Sequence, residues 1–315
     1  MSHIVFLDSA TLPVRIPRAR PSDRWTERPS TREHELIDAL ADADIAITNK
    51  VPLRSDTLRR LPQLKYICIA ASGCDSVDLD YCREHGIQVS NVPAYAASSV
   101  AEHVIACIFM LRRQMLSYNQ LAASSAWTAS PVFCVHGAPI NDIRGATLGL
   151  IGSGAIGKEV MRIATALGMR VLASERKGRT EARPGYTLFE TVISASDVIS
   201  LHCPLSADTE GLIGEREFSM MRPTAVLINT ARGALIDERA LEAALFRQTI
   251  AGAALDVLQV EPPHEQHRFV TGQPDNLLLT PHVAWASSSA VEALAHAVSA
   301  NVESFLEERT LNRVA

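Results

Sequence analysis

Thr147-Leu148-Gly149-Leu150-Ile151-Gly152-Ser153-Gly154-Ala155-Ile156-Gly157 is the stretch whose reading decides the fold. A strand-like apolar run, Thr147–Ile151, leads directly into glycines spaced G-x-G-x-x-G, and an amphipathic helical pattern follows to about Leu167. Each glycine has its own physical task. Gly152 permits a tight turn, Gly154 lets a pyrophosphate approach the backbone, and Gly157 lets the helix lie close on its strand. The helix N-terminus, opened by Ala155 and Ile156, adds unpaired N–H groups and a positive dipole end. The pattern predicts dinucleotide binding by Gly152, Ser153, Gly154, Ala155, Ile156 and Gly157.

Glu175 ends the next strand, 23 positions after Gly152. A carboxylate there can accept hydrogen bonds from an adenosine ribose diol and repel a 2′-phosphate, which favours NAD. Arg176 and Lys177 follow at once, and cations at that place can clamp an extra phosphate, so NADP stays open.

Working outward, short β-rich runs alternate with helical patterns on both sides of the glycine loop. Downstream, strands are expected near Arg170–Ala173, Asp197–Leu201, Ala225–Ile228, Ala251–Leu255 and Leu277–Leu279. Upstream, the runs His3–Leu7, Asp44–Thr48, Leu64–Ile69 and Ile87–Ser90 read the same way, with helices between them. Such βαβ series predict an α/β chain with two doubly wound parallel sheets and ligand crevices at the strands' carboxyl ends. A long helix is expected from about Ser98 to Tyr118. The stretch 122–144 carries no period and reads as an arm. The last helix, about Ser288–Glu308, follows the final strand and can return to the first domain. The predicted domains are 1–97 with 288–315, and 98–287.

Composition narrows the function. At 315 residues with 47% hydrophobic content, the chain is long enough for about two domains with substantial cores. Net charge is −5 and no basic run occurs, so nucleic acid and anionic membrane are not expected partners. Six cysteines without a C-x-x-C pair fit a reducing cytoplasm, and no apolar stretch reads as a signal peptide or membrane span. The predicted partner is a small molecule.

Three ionisable residues sit just past apolar runs: Arg232 after TAVLINTARG, Glu261 after IAGAALDVLQVEPP and His282 after NLLLTPH. A charged fork, a carboxylate and an imidazole at one sheet edge can grip an anion, hold a proton donor and exchange a proton with a carbonyl oxygen. Each alone is an ordinary loop residue; their shared placement points to one site. His202 and Cys203 of LHCPL have no further ligands at metal spacing and are expected to line the dinucleotide site. Trp285 either closes a pocket or packs between domains.

GSGAIG, LHCPLSADTEGLI, AVLINTARGALID, AGAALDVLQVEPP and LLLTPHVAWAS together resemble the D-isomer-specific 2-hydroxyacid dehydrogenases, in that family's order and approximate spacing. Within it the chain is most similar to glycerate dehydrogenases, also called hydroxypyruvate reductases, through TNKVPL, SPVFC and the EPP–LLLTPHVAWAS ending. The resemblance implies a Rossmann-type cofactor domain and a flavodoxin-like substrate domain flanking an interdomain cleft, in a homodimer. It implies that Arg232 binds substrate, that His282 is the acid/base with Glu261 behind it, and that Asp256 orients the nicotinamide carboxamide. It further implies cofactor contacts at Pro204, Thr230 and Ala231, and substrate contacts at Ser72, Gly73 and Trp285. Cys74 departs from the residue relatives commonly carry, which leaves substrate choice open. The expected reaction interconverts a small anionic 2-oxo acid and its D-2-hydroxy acid, with hydroxypyruvate and glyoxylate foremost. Alternatives are a non-catalytic dinucleotide-sensing interaction protein, or the same fold acting on phosphite, formate or a bulkier 2-oxo acid.

Overall fold

The strand runs pair as two separate sheets in the computed structural model, which describes all residues from Met1 to Ala315. The chain divides into two compact units, Met1–Ala96 with Ala286–Ala315, and Ala97–Trp285.

The first unit holds β1 (His3–Phe6), β2 (Arg24–Glu27), β3 (Ile45–Thr48), β4 (Tyr66–Ile69) and β5 (Gln88–Ser90). They lie parallel in the order β2-β1-β3-β4-β5, the flavodoxin-like order. β1, β3 and β4 are buried at every position, which is why they read as continuous apolar runs without alternation. β2 has no such signature. Its sequence, Arg24-Trp25-Thr26-Glu27, is half-exposed, and pairing with β1 makes it an edge strand. The helix Ser288–Leu306 belongs to this unit, and its Phe305 stacks on Tyr66 with ring centroids 4.4 Å apart. Beneath it, burial pushes the Cys68 thiol up to about 12, so this sulfur behaves as a small apolar group.

The second unit contains β6 (Thr147–Ile151), β7 (Arg170–Ala173), β8 (Val198–Leu201), β9 (Val226–Asn229), β10 (Gly252–Leu255) and β11 (Leu277–Leu279). All pairings are parallel in the order β11-β10-β9-β8-β6-β7. The chain leaves β6 for the edge strand β7, then returns to β8 on the other side. That reversal opens a crevice at the carboxyl ends of β6 and β8. It also sets the ends of β9, β10 and β11 side by side.

The long helix expected from Ser98 to Tyr118 is instead broken. The first segment, Ala97–Arg112, stops where the buried Arg112 guanidinium donates twice to the Asp142 carbonyl, at 3.2 and 2.8 Å. Gln114 then takes a left-handed φ of 54°, and the helices Met115–Ala123 and Ser125–Thr128 follow. A third bond, from Asn141 N–H to the Arg112 carbonyl at 2.8 Å, closes the base of the segment between them. The stretch 122–144 is thus a partly helical excursion clamped at Arg112.

A Cβ on Gly157 would lie 2.2 Å from the Gly152 carbonyl oxygen, a backbone atom that cannot yield cheaply. Gly157→Ala should therefore force the helix Ala155–Ala166 off β6 and cost about 1–3 kcal/mol, the usual scale of overpacking. Denaturant unfolding of both forms checks this; equal midpoints would contradict it.

Candidate active site

The glycine loop builds the first half of the site. Gly152 has φ 101°, and a Cβ there would meet the Cys203 nitrogen and the His202 carbonyl carbon, each at 2.5 Å. That closeness comes from the sheet, since His202 N–H donates to the Ile151 carbonyl at 2.7 Å. Gly154, by contrast, faces open space, with nothing within 4 Å of its built Cβ. It caps its helix without any side chain, leaving the first-turn N–H groups to a ligand. Gly152, Ser153, Gly154, Glu175, Arg176, His202, Cys203 and Pro204 line one cleft of about 870 Å³. Ala155 and Ile156 open the helix beside it. Thr230 and Ala231 follow β9 outside that lining, and the Thr230 hydroxyl is buried without a hydrogen-bond partner. An open glycine, an uncapped helix start and an orphaned hydroxyl together fit a dinucleotide.

Burial sets the protonation of two cleft residues. It pushes the His202 imidazole down to about 4, so the ring is neutral at pH 7, and its Nε2 lies 2.8 Å from Ser200 Oγ. It pushes the Cys203 thiol up to about 11, so no thiolate nucleophile is present.

The second half forms where β9, β10 and β11 end. Asn229, fully buried, donates through Nδ2 to the Arg232 carbonyl at 2.7 Å and accepts the Ala231 N–H at 3.0 Å, folding NTARG into a tight turn. Within it Gly233 packs so closely on the neighbouring loop that a Cβ would sit 2.0 Å from the Leu258 carbonyl carbon. Leu258 N–H in turn donates to Glu261 Oε1 at 2.9 Å. The Arg232 turn and the Glu261 loop are thus locked together through backbone. Arg232 is half-buried, and its Nη1 donates to the Ala231 carbonyl at 2.8 Å.

Glu261 completes the link to His282. Its Oε2 lies 2.5 Å from His282 Nδ1, with both side chains about two-thirds shielded from solvent. An ionised carboxylate only accepts hydrogen bonds, so Nδ1 carries the proton and Nε2 is left for exchange with a ligand. His282 itself has φ 54°, a strained conformation for a residue with a side chain.

Asp256 explains how that conformation persists. Its buried carboxylate accepts the Thr280 hydroxyl at 2.6 Å and the Val283 and Ala284 N–H groups, each at 2.9 Å, while its carbonyl accepts the His282 N–H at 2.8 Å. This side chain is engaged by the loop that follows β11. Trp285 reinforces the turn by donating its indole N–H to the His282 carbonyl at 2.9 Å. His103 was not singled out in the sequence; on the helix Ala97–Arg112, its Nε2 lies 3.3 Å from the Thr280 hydroxyl. The two residues lie 177 positions apart, and only the fold brings His103 to this loop.

Ser72 and Gly73 belong to the other unit, in the loop after β4. The Ser72 hydroxyl donates to the Val92 carbonyl at 2.8 Å, and Asn91 Nδ2 donates to the Ser72 carbonyl at 2.8 Å.

Residues 105–284 match the family described as D-isomer specific 2-hydroxyacid dehydrogenase, NAD binding domain. The chain belongs to the D-isomer-specific 2-hydroxyacid dehydrogenase family. This dehydrogenase is 42% identical to the glycerate dehydrogenase of Methylorubrum extorquens, over 99% of the chain and 98% of that relative. It is 32% identical to the hydroxypyruvate reductase of Blautia hydrogenotrophica, over 90% and 88% of the two. Among solved structures, an acyclic imino acid reductase in complex with NADPH and D-Arg superposes with a TM-score of 0.82 at 31% identity, covering 99% of this chain and all of that one. As a family member the dehydrogenase is an NAD(P)-binding oxidoreductase of 2-oxo and D-2-hydroxy acids. No helix of it is long and apolar enough to cross a membrane.

Asp256→Ala leaves the Val283 and Ala284 amides without their acceptor in a buried turn. The expected cost is about 1–3 kcal/mol per unsatisfied group, read as a lowered denaturation midpoint. An unchanged midpoint would show that the turn holds without this carboxylate.

Proposed function

We propose that the enzyme reduces hydroxypyruvate or glyoxylate to D-glycerate or glycolate, and that His282, Glu261 and Arg232 carry the reaction. The observation that carries this reading is the 2.5 Å contact between His282 Nδ1 and Glu261, held beside the Arg232 turn by the Gly233–Leu258 packing. The similarity to a glycerate dehydrogenase over nearly the whole chain supports the same substrate class.

When bound, a reduced nicotinamide supplies the hydride. The chain's residues do the rest. Arg232 presents a planar fork of donors suited to a carboxylate, which orients the 2-oxo acid. His282, protonated on both ring nitrogens, gives its Nε2 proton to the developing alkoxide. Glu261 keeps the ring in place through Nδ1; in the oxidative direction His282 takes the proton back. Trp285, braced on His282, bounds the substrate side.

The enzyme is further proposed to act as a homodimer. Phe133 is 91% exposed, Val132 60% and Trp127 51%, all on the excursion clamped at Arg112, and such apolar groups on one segment suit a second copy. All six cysteines are free thiols, which supports a reducing, cytoplasmic setting.

His282→Ala should lower kcat by roughly 10²–10⁴-fold. Arg232→Ala should raise KM for hydroxypyruvate by about 10–100-fold, the value of a hydrogen bond to a charged group. Glu261→Gln offers both a donor and an acceptor to Nδ1, loses the tautomer selection and should lower kcat on the order of 10²-fold or more. Steady-state kinetics over hydroxypyruvate, glyoxylate, pyruvate and bulkier 2-oxo acids, with formate and phosphite in the oxidative direction, test the assignment. Near-normal turnover in His282→Ala, or preference for formate or phosphite, would overturn it.

A further inference from the structure

At the end of β7 the carboxylate offered to a ribose diol is already taken. Glu175 has only 4% of its side chain exposed, and Arg183 grips it through Nε at 2.6 Å and Nη2 at 3.0 Å. Backbone N–H groups of Arg176, at 2.9 Å, and Arg183, at 3.3 Å, fill its remaining acceptor positions. A carboxylate has about four acceptor sites, and four donors occupy them. The pair is braced from the other side. Arg183 lies over the Tyr186 ring at 4.2 Å, and the Tyr186 hydroxyl is 2.6 Å from Ser153 Oγ in the glycine loop. Arg183 thereby holds Glu175 ionised, down at about 2.

The cations around it are not all spent. Lys177 is committed, pairing with Glu217 at 2.9 Å and donating to the Leu212 carbonyl at 3.0 Å. Arg176 and Arg179 are exposed, line the same cleft as the glycine loop, and make no ion pair. Asp208 is the one acidic side chain besides Glu175 in that lining. With Glu175 neutralised by Arg183, the ribose end of the cleft presents positive charge where a diol-binding site needs a free acid.

Resting on the dinucleotide reading above, we infer that this end of the cleft is a 2′-phosphate subsite, with Arg176 and Arg179 as its ligands, and that the enzyme prefers NADP(H) to NAD(H). A guanidinium fork suits a terminal phosphate, and the Glu175–Arg183 pair removes the charge that would repel it.

Calorimetric titration of the full-length protein with NADP⁺ and NAD⁺, in the absence of substrate, reads this without turnover. NADP⁺ should bind at least about 10-fold more tightly, and Arg176→Ala combined with Arg179→Ala should weaken it by about 10–100-fold while leaving NAD⁺ affinity largely unchanged. Arg183→Ala should release Glu175 and shift the ratio toward NAD⁺. Equal affinities, or tighter NAD⁺ binding, would overturn the inference and leave the dehydrogenase assignment standing. Binding of neither would overturn the dinucleotide reading along with it.

Discussion

A buried carboxylate gathering the turn that follows β11 is the constraint on which the rest of the site depends. Asp256 lies at the end of β10 and takes hydrogen bonds from Thr280, Val283 and Ala284, while its own carbonyl takes the His282 N–H. Buried polar groups carry a large penalty when left unpaired, so this turn has one low-energy arrangement. That arrangement puts His282 in a left-handed conformation costing on the order of 1–3 kcal/mol, which the four bonds offset. Strain of this kind is expected where geometry serves chemistry.

The same logic ties the neighbouring loops. Parallel pairing places the ends of β9, β10 and β11 in register, and a glycine at 233 lets the Arg232 turn touch the backbone before Glu261. The side chains that meet are far apart in sequence, yet each is fixed by backbone contacts made within a few residues of its own strand. A rigid sheet edge therefore supplies the positioning, and the loops add only the chemistry.

The glycine loop was legible because strand, glycines and helix are local, and each glycine's neighbours in the structure match its task. His282 and Glu261 were legible by position, since both follow apolar strands. The hold of Asp256 on the turn after β11 was not, because its partners lie 24 to 28 positions onward, a spacing no periodicity encodes. Arg183 escaped notice for a related reason: it sits in an irregular loop, and only folding brings it onto Glu175. β2 was missed because an edge strand with charged ends has no apolar run, and the break at Gln114 because the buried Arg112 that causes it reads as a surface residue.

The account centres on Glu261 fixing the His282 tautomer from behind. The most direct measurement is nitrogen-15 NMR of histidine-labelled protein, with the His282 resonances assigned by their loss in His282→Asn. The prediction is a protonated Nδ1 that is altered when Glu261 is replaced by Gln. A His282 ring with Nδ1 unprotonated, or one indifferent to that replacement, would contradict it.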